Sequence, residues 1–304
     1  MEEAELPPPG RAQVRVAVRA AGVNPVDTYV RGGTYGYSPE LPYTPGADGA
    51  GIVEQVGSGV TRVRVGQRVY GGRCGTGSYA ELALFEETQV FPLPERVSFQ
   101  EGACLGIPYG TAYRALFQKA RVQPGETALI HGGSGGVGSA AVQLARAAKL
   151  QVIATAGSER GLELLKQLGA EYALDHRSPA HFDELMRITR GHGADVIVEL
   201  LANENLGRDL QVVAKFGRIV VIGSRGSVQV DPRDAMQRDA TVLGMVLKNT
   251  PPEEFAQIHS ALAPMLASGA IKPVVGRELP LAEAPEAHRA VMTPPAYGNI
   301  VLIP

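Results

Sequence analysis

The sequence predicts an α/β protein in which a doubly wound parallel sheet is inserted into a β-rich domain. Three observations carry that reading. The apolar run Thr127–Ile130 leads through His131 into Gly133-x-Gly135-x-x-Gly138, and a helical pattern follows at once. From about residue 108 to 270, strand and helix patterns alternate, as parallel strands joined by crossover helices require. Toward both ends the chain reads instead as short strands punctuated by glycine.

The β-rich texture runs from about residue 10 to 95. Val14, Val16 and Val18 alternate with Gln13, Arg15, Ala17 and Arg19, a period of two. Gly49–Gly57 and Arg62–Tyr70 are two further strand candidates. In the alternating region the predicted strands are Ala128–His131, Gln151–Thr155, Tyr172–Leu174, Val196–Glu199 and Arg218–Ile222. Helical patterns between them include Arg160–Leu168 and Phe182–Thr189. Ile271–Pro304 returns to strand-like segments. The expected organisation is therefore 1–107, completed by 272–304, around an inserted 108–271, with a cleft between the two domains.

A length of 304 residues fits two ordinary domains. A hydrophobic share of 44% with 20% charged residues is a globular composition. The net charge of −2 provides no basic field for nucleic acid. No apolar run reaches the roughly 18 residues of a membrane span. The acidic start Met1-Glu2-Glu3-Ala4-Glu5 reads neither as a secretory signal nor as a transit peptide. Two cysteines, Cys74 and Cys104, do not make a disulfide framework, which implies a reducing, cytoplasmic setting.

The glycine turn carries the first chemistry. Glycines there permit a tight turn, close approach of the backbone to a pyrophosphate and tight helix–strand packing. The helix N-terminus presents N–H groups and a positive dipole end to the phosphates. Strand, glycine turn and helix in register are the context that makes this a dinucleotide site of Rossmann type, with Ser134, Gly135, Gly136, Val137 and Gly138 at the phosphates.

The choice of dinucleotide rests on the tip of the next strand. An NAD site usually carries Asp or Glu there, about 20 residues on, for the ribose 2′-hydroxyl. Here the tip is Ala156-Gly157-Ser158-Glu159-Arg160. Gly157 and Ser158 leave room for a 2′-phosphate, and Arg160, Lys166 or the His176-Arg177 pair offer charge. Glu159 turned inward would favour NAD, while Glu159 and Arg160 also fit solvated first-turn positions of a helix. The balance favours NADP(H). Asn203, Gly223, Ser224 and Arg225 follow other strand ends and are either further cofactor neighbours or ordinary loop residues.

Gly22–Tyr35 is dense in polar and aromatic groups. Asn24 offers an amide, and Tyr29 and Tyr35 offer flat rings with phenols, a set able to stack on a planar substrate and hydrogen-bond its carbonyl. The same tyrosines also fit simple packing near turns. Asp27 and Arg31, spaced i, i+4, read as a helix-face ion pair. Metal chemistry is not expected: Cys74 and Cys104 lie apart with no histidine near them, and His131 reads as structural.

Several strings in order resemble zeta-crystallin and the NADPH:quinone oxidoreductases, a zinc-free branch of the medium-chain dehydrogenase/reductase superfamily. They are Gly22-Val23-Asn24-Pro25-Val26-Asp27-Thr28-Tyr29, Leu41-Pro42-Tyr43-Thr44-Pro45-Gly46 and Gly106-Ile107-Pro108-Tyr109-Gly110-Thr111-Ala112-Tyr113-Arg114-Ala115-Leu116, then the glycine turn and Val221-Ile222-Gly223-Ser224-Arg225-Gly226. Zinc-dependent relatives carry cysteine where this chain has Asn24, and Gly-His-Glu where it has Gly46-Ala47-Asp48.

The resemblance implies a GroES-like β domain around a Rossmann domain, assembly as a homodimer or homotetramer, and NADPH as cofactor. It implies a quinone site at Asn24, Tyr29 and Tyr35, with Thr111 beside the nicotinamide and Ser158 and His176 near the 2′-phosphate. It also implies a first strand and turn ahead of Met1, and a lysine where Asn299 follows Gly298. The expected activity is NADPH-dependent, zinc-independent reduction of ortho-quinones. Two alternatives remain on the same scaffold: reduction of activated alkenes such as enals, enones or enoyl thioesters, and a zeta-crystallin-like structural or RNA-binding role, which the charge disfavours.

Overall fold

The computed structural model describes residues 2–304, which divide into two compact units. One comprises residues up to Gly110, Pro251–Pro294 and Gly298–Pro304; the other comprises Thr111–Thr250 and Pro295–Tyr297.

The β-rich unit is built on β1 (Gln13–Val23), to which β2 (Asp48–Val56), β4 (Leu82–Glu86) and β13 (Asn299–Ile303) all pair antiparallel. β3 (Arg68–Gly71) and β5 (Val90–Pro92) extend the sheet beyond β2, and β12 (Val275–Pro280) runs parallel to β13 at the other edge. The alternation read in β1 is real: Val14, Val16 and Val18 are buried, and the residues between them are not. Together with Val53, Val69, Phe85 and Leu302 they form the core of this unit.

The predicted strand over Arg62–Tyr70 begins only at Arg68. Upstream of it the Glu87 carboxylate accepts from the backbone N–H groups of Thr61 and Arg62 and holds them in a turn. A second difference concerns the helix Pro252–Ser268, which the sequence reading groups with the inserted domain. Its Phe255 and His259 pack against Phe91, and His259 Nδ1 bonds Tyr70 Oη at 3.1 Å, so it belongs to the β-rich unit. The C-terminal stretch also contains a helix, Ala284–Met292, beside its two strands.

The second unit has a parallel sheet in the order β11-β10-β9-β6-β7-β8. Its strands are β6 (Thr127–Ile130), β7 (Gln151–Ala156), β8 (Tyr172–Asp175), β9 (Ala194–Glu199), β10 (Val213–Val221) and β11 (Thr241–Gly244). Leu129 is in register with Ile153 on one side and Ile197 on the other, and Ile197 with Ile219. All four are essentially inaccessible to water. Each such side chain contributes about 1.5–3 kcal/mol by burial, so this row is a main source of the unit's stability. Strand order reverses between β6 and β9, and ligands of open α/β sheets bind outside the carboxyl ends of the strands at such a point.

Candidate functional site

The glycine turn has the close packing that its sequence implies. A Cβ on Gly138 would lie 2.2 Å from the Gly132 carbonyl oxygen, and one on Gly133 would lie 2.7 Å from Leu165 Cδ2. The first distance involves backbone and cannot be relieved by a side-chain rotation. The helix Gly136–Ala147 starts from Gly135 with no side-chain cap, and Gly136 and Val137 are half-exposed at its first turn. An uncapped helix N-terminus reached through glycine suits a pyrophosphate. Ser134 is buried, and its hydroxyl donates to the Ala296 carbonyl at 2.8 Å, tying residues 295–297 to the turn.

At the tip of β7, Gly157, Ser158 and His176 come together. A Cβ on Gly157 would lie 2.5 Å from His176 Nε2, so glycine is required for the histidine to pack there. Ser158 caps the helix Glu159–Leu168, its Oγ accepting from the Gly161 N–H at 3.1 Å. Its hydroxyl proton remains available to a ligand. Burial lowers the pKa of His176. Of the cations proposed from sequence, Lys166 pairs with Glu163 at 2.7 Å and Arg177 pairs with Asp175 at 2.8 Å. Arg160 instead stacks its guanidinium 3.7 Å from the ring centre of Tyr297. Glu159 is an exposed first-turn residue.

Asn203, Gly223, Ser224 and Arg225 also form one group. Asn203 Oδ1 accepts from the Arg225 N–H at 2.8 Å, and Gly223 packs so tightly that a Cβ would lie 2.4 Å from the Leu200 carbonyl oxygen. Ser224 donates its hydroxyl to the Gly226 carbonyl at 2.8 Å. Thr111 is buried in the helical turn Gly110–Tyr113.

In the β-rich unit, Asn24 is the N-cap of the helix Pro25–Gly32. Pro25 supplies the preset φ of a first helical residue, and Gly33, at φ +61°, ends the helix in the left-handed conformation. Asp27 does not face Arg31 as the i, i+4 spacing suggests. It turns inward, accepts from the Asn24 N–H at 2.8 Å as the carboxylate of a capping box, and accepts from Tyr79 Oη at 3.0 Å. Burial pushes its carboxyl up to about 7. His288 Nε2 lies 3.3 Å from the same phenol. The Asn24 amide donates to Asp48 Oδ2 at 3.0 Å, and Asp48 also accepts from the Ile107 N–H. Burial pushes the Asp48 carboxyl up to about 8. The Tyr29 and Tyr35 rings meet edge to face, 4.8 Å between centres. Tyr35 is 59% exposed and held at φ +54°, unusual for a tyrosine.

The residues around Asn24 do not fit a zinc ion. The amide and carboxylate are committed to each other, Cys104 Sγ donates to the Gln100 carbonyl and Cys74 Sγ to the Leu84 carbonyl. Among the described residues, the grouping of side chains able to hold a metal is His131, Glu199 and Asp209, in the other unit. From sequence His131 is expected to be structural, Glu199 is only a strand end, and no acidic partner of the histidine is expected. His131 lies far from both in the chain; the adjacency of β6 and β9 brings it to Glu199, and the helix Ala202–Val212 that follows β9 returns Asp209 to the same place. Asn299, where the resemblance implies a lysine, is buried and donates its amide to the Val274 carbonyl at 3.0 Å.

The fold and these sites define a medium-chain dehydrogenase/reductase. The alcohol dehydrogenase GroES-like domain matches residues 10–95, and the zinc-binding dehydrogenase family matches residues 136–263. The chain is 46% identical to a quinone oxidoreductase of Rattus norvegicus over 299 residues, 98% of this chain and 91% of that one. Its structure is similar to that of Escherichia coli quinone oxidoreductase complexed with NADPH (TM-score 0.89, 29% identity, 100% of this chain and 95% of that one). It is also similar to the CurK enoyl reductase (TM-score 0.90, 28% identity, 99% and 94%). The chain belongs to the zeta-crystallin-like quinone oxidoreductase family. Among the described residues, no helix is long and apolar enough to cross a membrane.

Proposed function

We propose that this protein is a zinc-independent, NADPH-dependent reductase of ortho-quinones. The observation that carries the reading is the uncapped helix at Gly136, reached through a turn in which Gly138 tolerates no side chain. The glycines fit a pyrophosphate laid against Ser134–Gly138, with Gly157, Ser158 and His176 around the 2′-phosphate and Arg160 as its cation. Asn203, Gly223, Ser224 and Arg225 border the same strand ends, and Thr111 lies beside the nicotinamide. Bound NADPH supplies a hydride.

Asn24, Tyr29 and Tyr35 orient the quinone. The exposed Tyr35 ring offers a flat apolar face, and the Asn24 amide, held by Asp48, is fixed in direction. Rate acceleration then comes mainly from proximity and orientation. A quinone is already electrophilic, so it does not need the polarising metal that alcohol oxidation uses, consistent with the Asn24–Asp48 pair. The setting is cytoplasmic, and the protein assembles as a homodimer or homotetramer, which light scattering tests. Two free thiols, Cys104 buried and Cys74 half-buried and pushed up to about 12 by desolvation, suit a reducing compartment.

The likeness to an enoyl reductase favours reduction of activated alkenes as the second reading. A thioester of coenzyme A needs a basic surface for its phosphates. The nearest candidate is a groove of about 730 Å³ lined by Arg62, Arg64 and Arg68. Its charge is partly neutralised, because Arg68 lies 3.6 Å from Glu95. Titration with NADPH and NADH, read by nucleotide fluorescence, tests the cofactor assignment: tight NADPH binding supports it, and binding of neither nucleotide removes it.

A further inference from the structure

Three ionisable side chains meet below the strand ends of the parallel sheet. His131 directly follows β6, Glu199 ends β9, and Asp209 lies on the helix Ala202–Val212. Each is at most 3% exposed. β6 and β9 are the neighbours between which strand order reverses, so the cluster underlies the point where a dinucleotide binds in such sheets.

Glu199 fastens two turns. Its Oε1 accepts from the Leu201 N–H and, at 3.3 Å, from Asn205 Nδ2. Its backbone carbonyl accepts from the Ile222 N–H at 2.8 Å, and the Gly223 carbonyl accepts from the Ala202 N–H at 2.9 Å. Asn203, Gly223 and Arg225 therefore sit on turns joined through one residue.

The remaining carboxylate oxygens pose a problem of charge. Asp209 Oδ1 bonds His131 Nε2 at 2.8 Å. The same His131 nitrogen lies 3.5 Å from Glu199 Oε2, but that oxygen and Asp209 Oδ2 are buried and neither accepts a hydrogen bond. Two ionised carboxylates so placed repel each other in a medium that screens poorly. One proton between them gives both oxygens a partner. Burial raises Glu199 to about 8, and the same burial raises Asp209, opposed by a hydrogen bond from Glu199. Both directions agree with Glu199 as the donor.

We propose that Glu199 is an uncharged carboxylic acid that donates its proton to Asp209, and that this pair, oriented by His131, is a positioning element for the dinucleotide site. The inference rests on the nucleotide assignment made above. Its distinctive content is that the element works by hydrogen bonding and not by charge, so an amide can replace the acid. Glu199→Gln keeps an acceptor for Leu201 and a donor for Asp209. Glu199→Ala removes both.

The test uses the full chain. NADPH affinity is measured by fluorescence titration, with KM and kcat for NADPH taken with 9,10-phenanthrenequinone. E199Q is expected to bind within about twofold of wild type. E199A is expected to raise Kd and KM about tenfold or more, with kcat at saturating NADPH changed far less. The infrared difference between wild type and E199Q at neutral pH is expected to show the loss of one protonated-carboxyl band, with the contribution of the buried Asp48 carboxyl common to both. Equal losses in E199Q and E199A overturn the proposal, as does wild-type affinity in E199A. A loss of NADPH affinity on dialysis against EDTA also overturns it, because a cation then occupies the cluster. Should E199A fail to fold, the E199Q affinity alone decides. Failure of wild type to bind any nucleotide defeats the underlying assignment and is seen before any variant is compared.

Discussion

Asn24 donates its side-chain amide to Asp48 Oδ2 at 3.0 Å, inside a β-rich unit where both side chains are buried. The same oxygen accepts from the Ile107 N–H at 3.0 Å, so Asp48 joins the Asn24 turn to the start of the helical run at Leu105. Asp48→Ala strands both donors, at about 1–3 kcal/mol for each buried group left unpaired. Asp48→Asn leaves one oxygen to accept from both. Urea unfolding is expected to show a large loss of stability for D48A and a small one for D48N.

The two buried carboxyls of this unit make stability depend on pH. Asp48 rises from an ordinary 3.8 to about 8 and Asp27 from 3.8 to about 7, with burial the largest cause in each. Raised folded values mean that the folded chain binds more protons than the unfolded chain between the two. The contribution is fully present below the unfolded value and is lost as pH rises toward the folded one. Stability is therefore expected to fall from about pH 5 to pH 8, with a shallower slope in D48N. A rise in wild-type stability over that range contradicts the assignment.

Replacement of Gly138 tests the phosphate turn. A valine Cβ would lie 2.2 Å from the Gly132 carbonyl oxygen, so the turn must open. NADPH binding is expected to be lost in Gly138→Val while far-ultraviolet circular dichroism stays close to wild type. Unchanged affinity places the nucleotide elsewhere.

Cofactor preference is expected to follow Arg160. Its stacking on Tyr297 limits the side-chain freedom lost when the guanidinium meets a 2′-phosphate. Arg160→Gln removes a charge-assisted contact and should weaken NADPH about tenfold or more, with NADH nearly unaffected. Tyr297→Ala should give a smaller loss in the same direction. Parallel titrations of both nucleotides separate this from general damage to the site.

The legible parts of the sequence were those governed by local geometry. The alternation of Val14, Val16 and Val18 and the glycine turn each specify backbone and packing within a few residues. β11, Thr241–Gly244, escaped because four edge residues, three exposed and one half-buried, carry no periodic signal. The Asp27–Arg31 spacing misled because a capping box outranks a solvent-exposed ion pair worth a few tenths of a kcal/mol. The His131–Glu199–Asp209 cluster was beyond local reading altogether, since strand order assembles it. Tyr297 escaped for the same reason: it joins the nucleotide unit from the far end of the chain.

The most direct test of the central claim is NADPH oxidation by the purified full-length protein, followed with 9,10-phenanthrenequinone, 1,2-naphthoquinone, an enal and an enoyl thioester side by side. Turnover with the ortho-quinones is expected to far exceed turnover with either alkene and to be unchanged after dialysis against EDTA. Turnover with the alkenes alone, or quinone turnover abolished by the chelator, would contradict it.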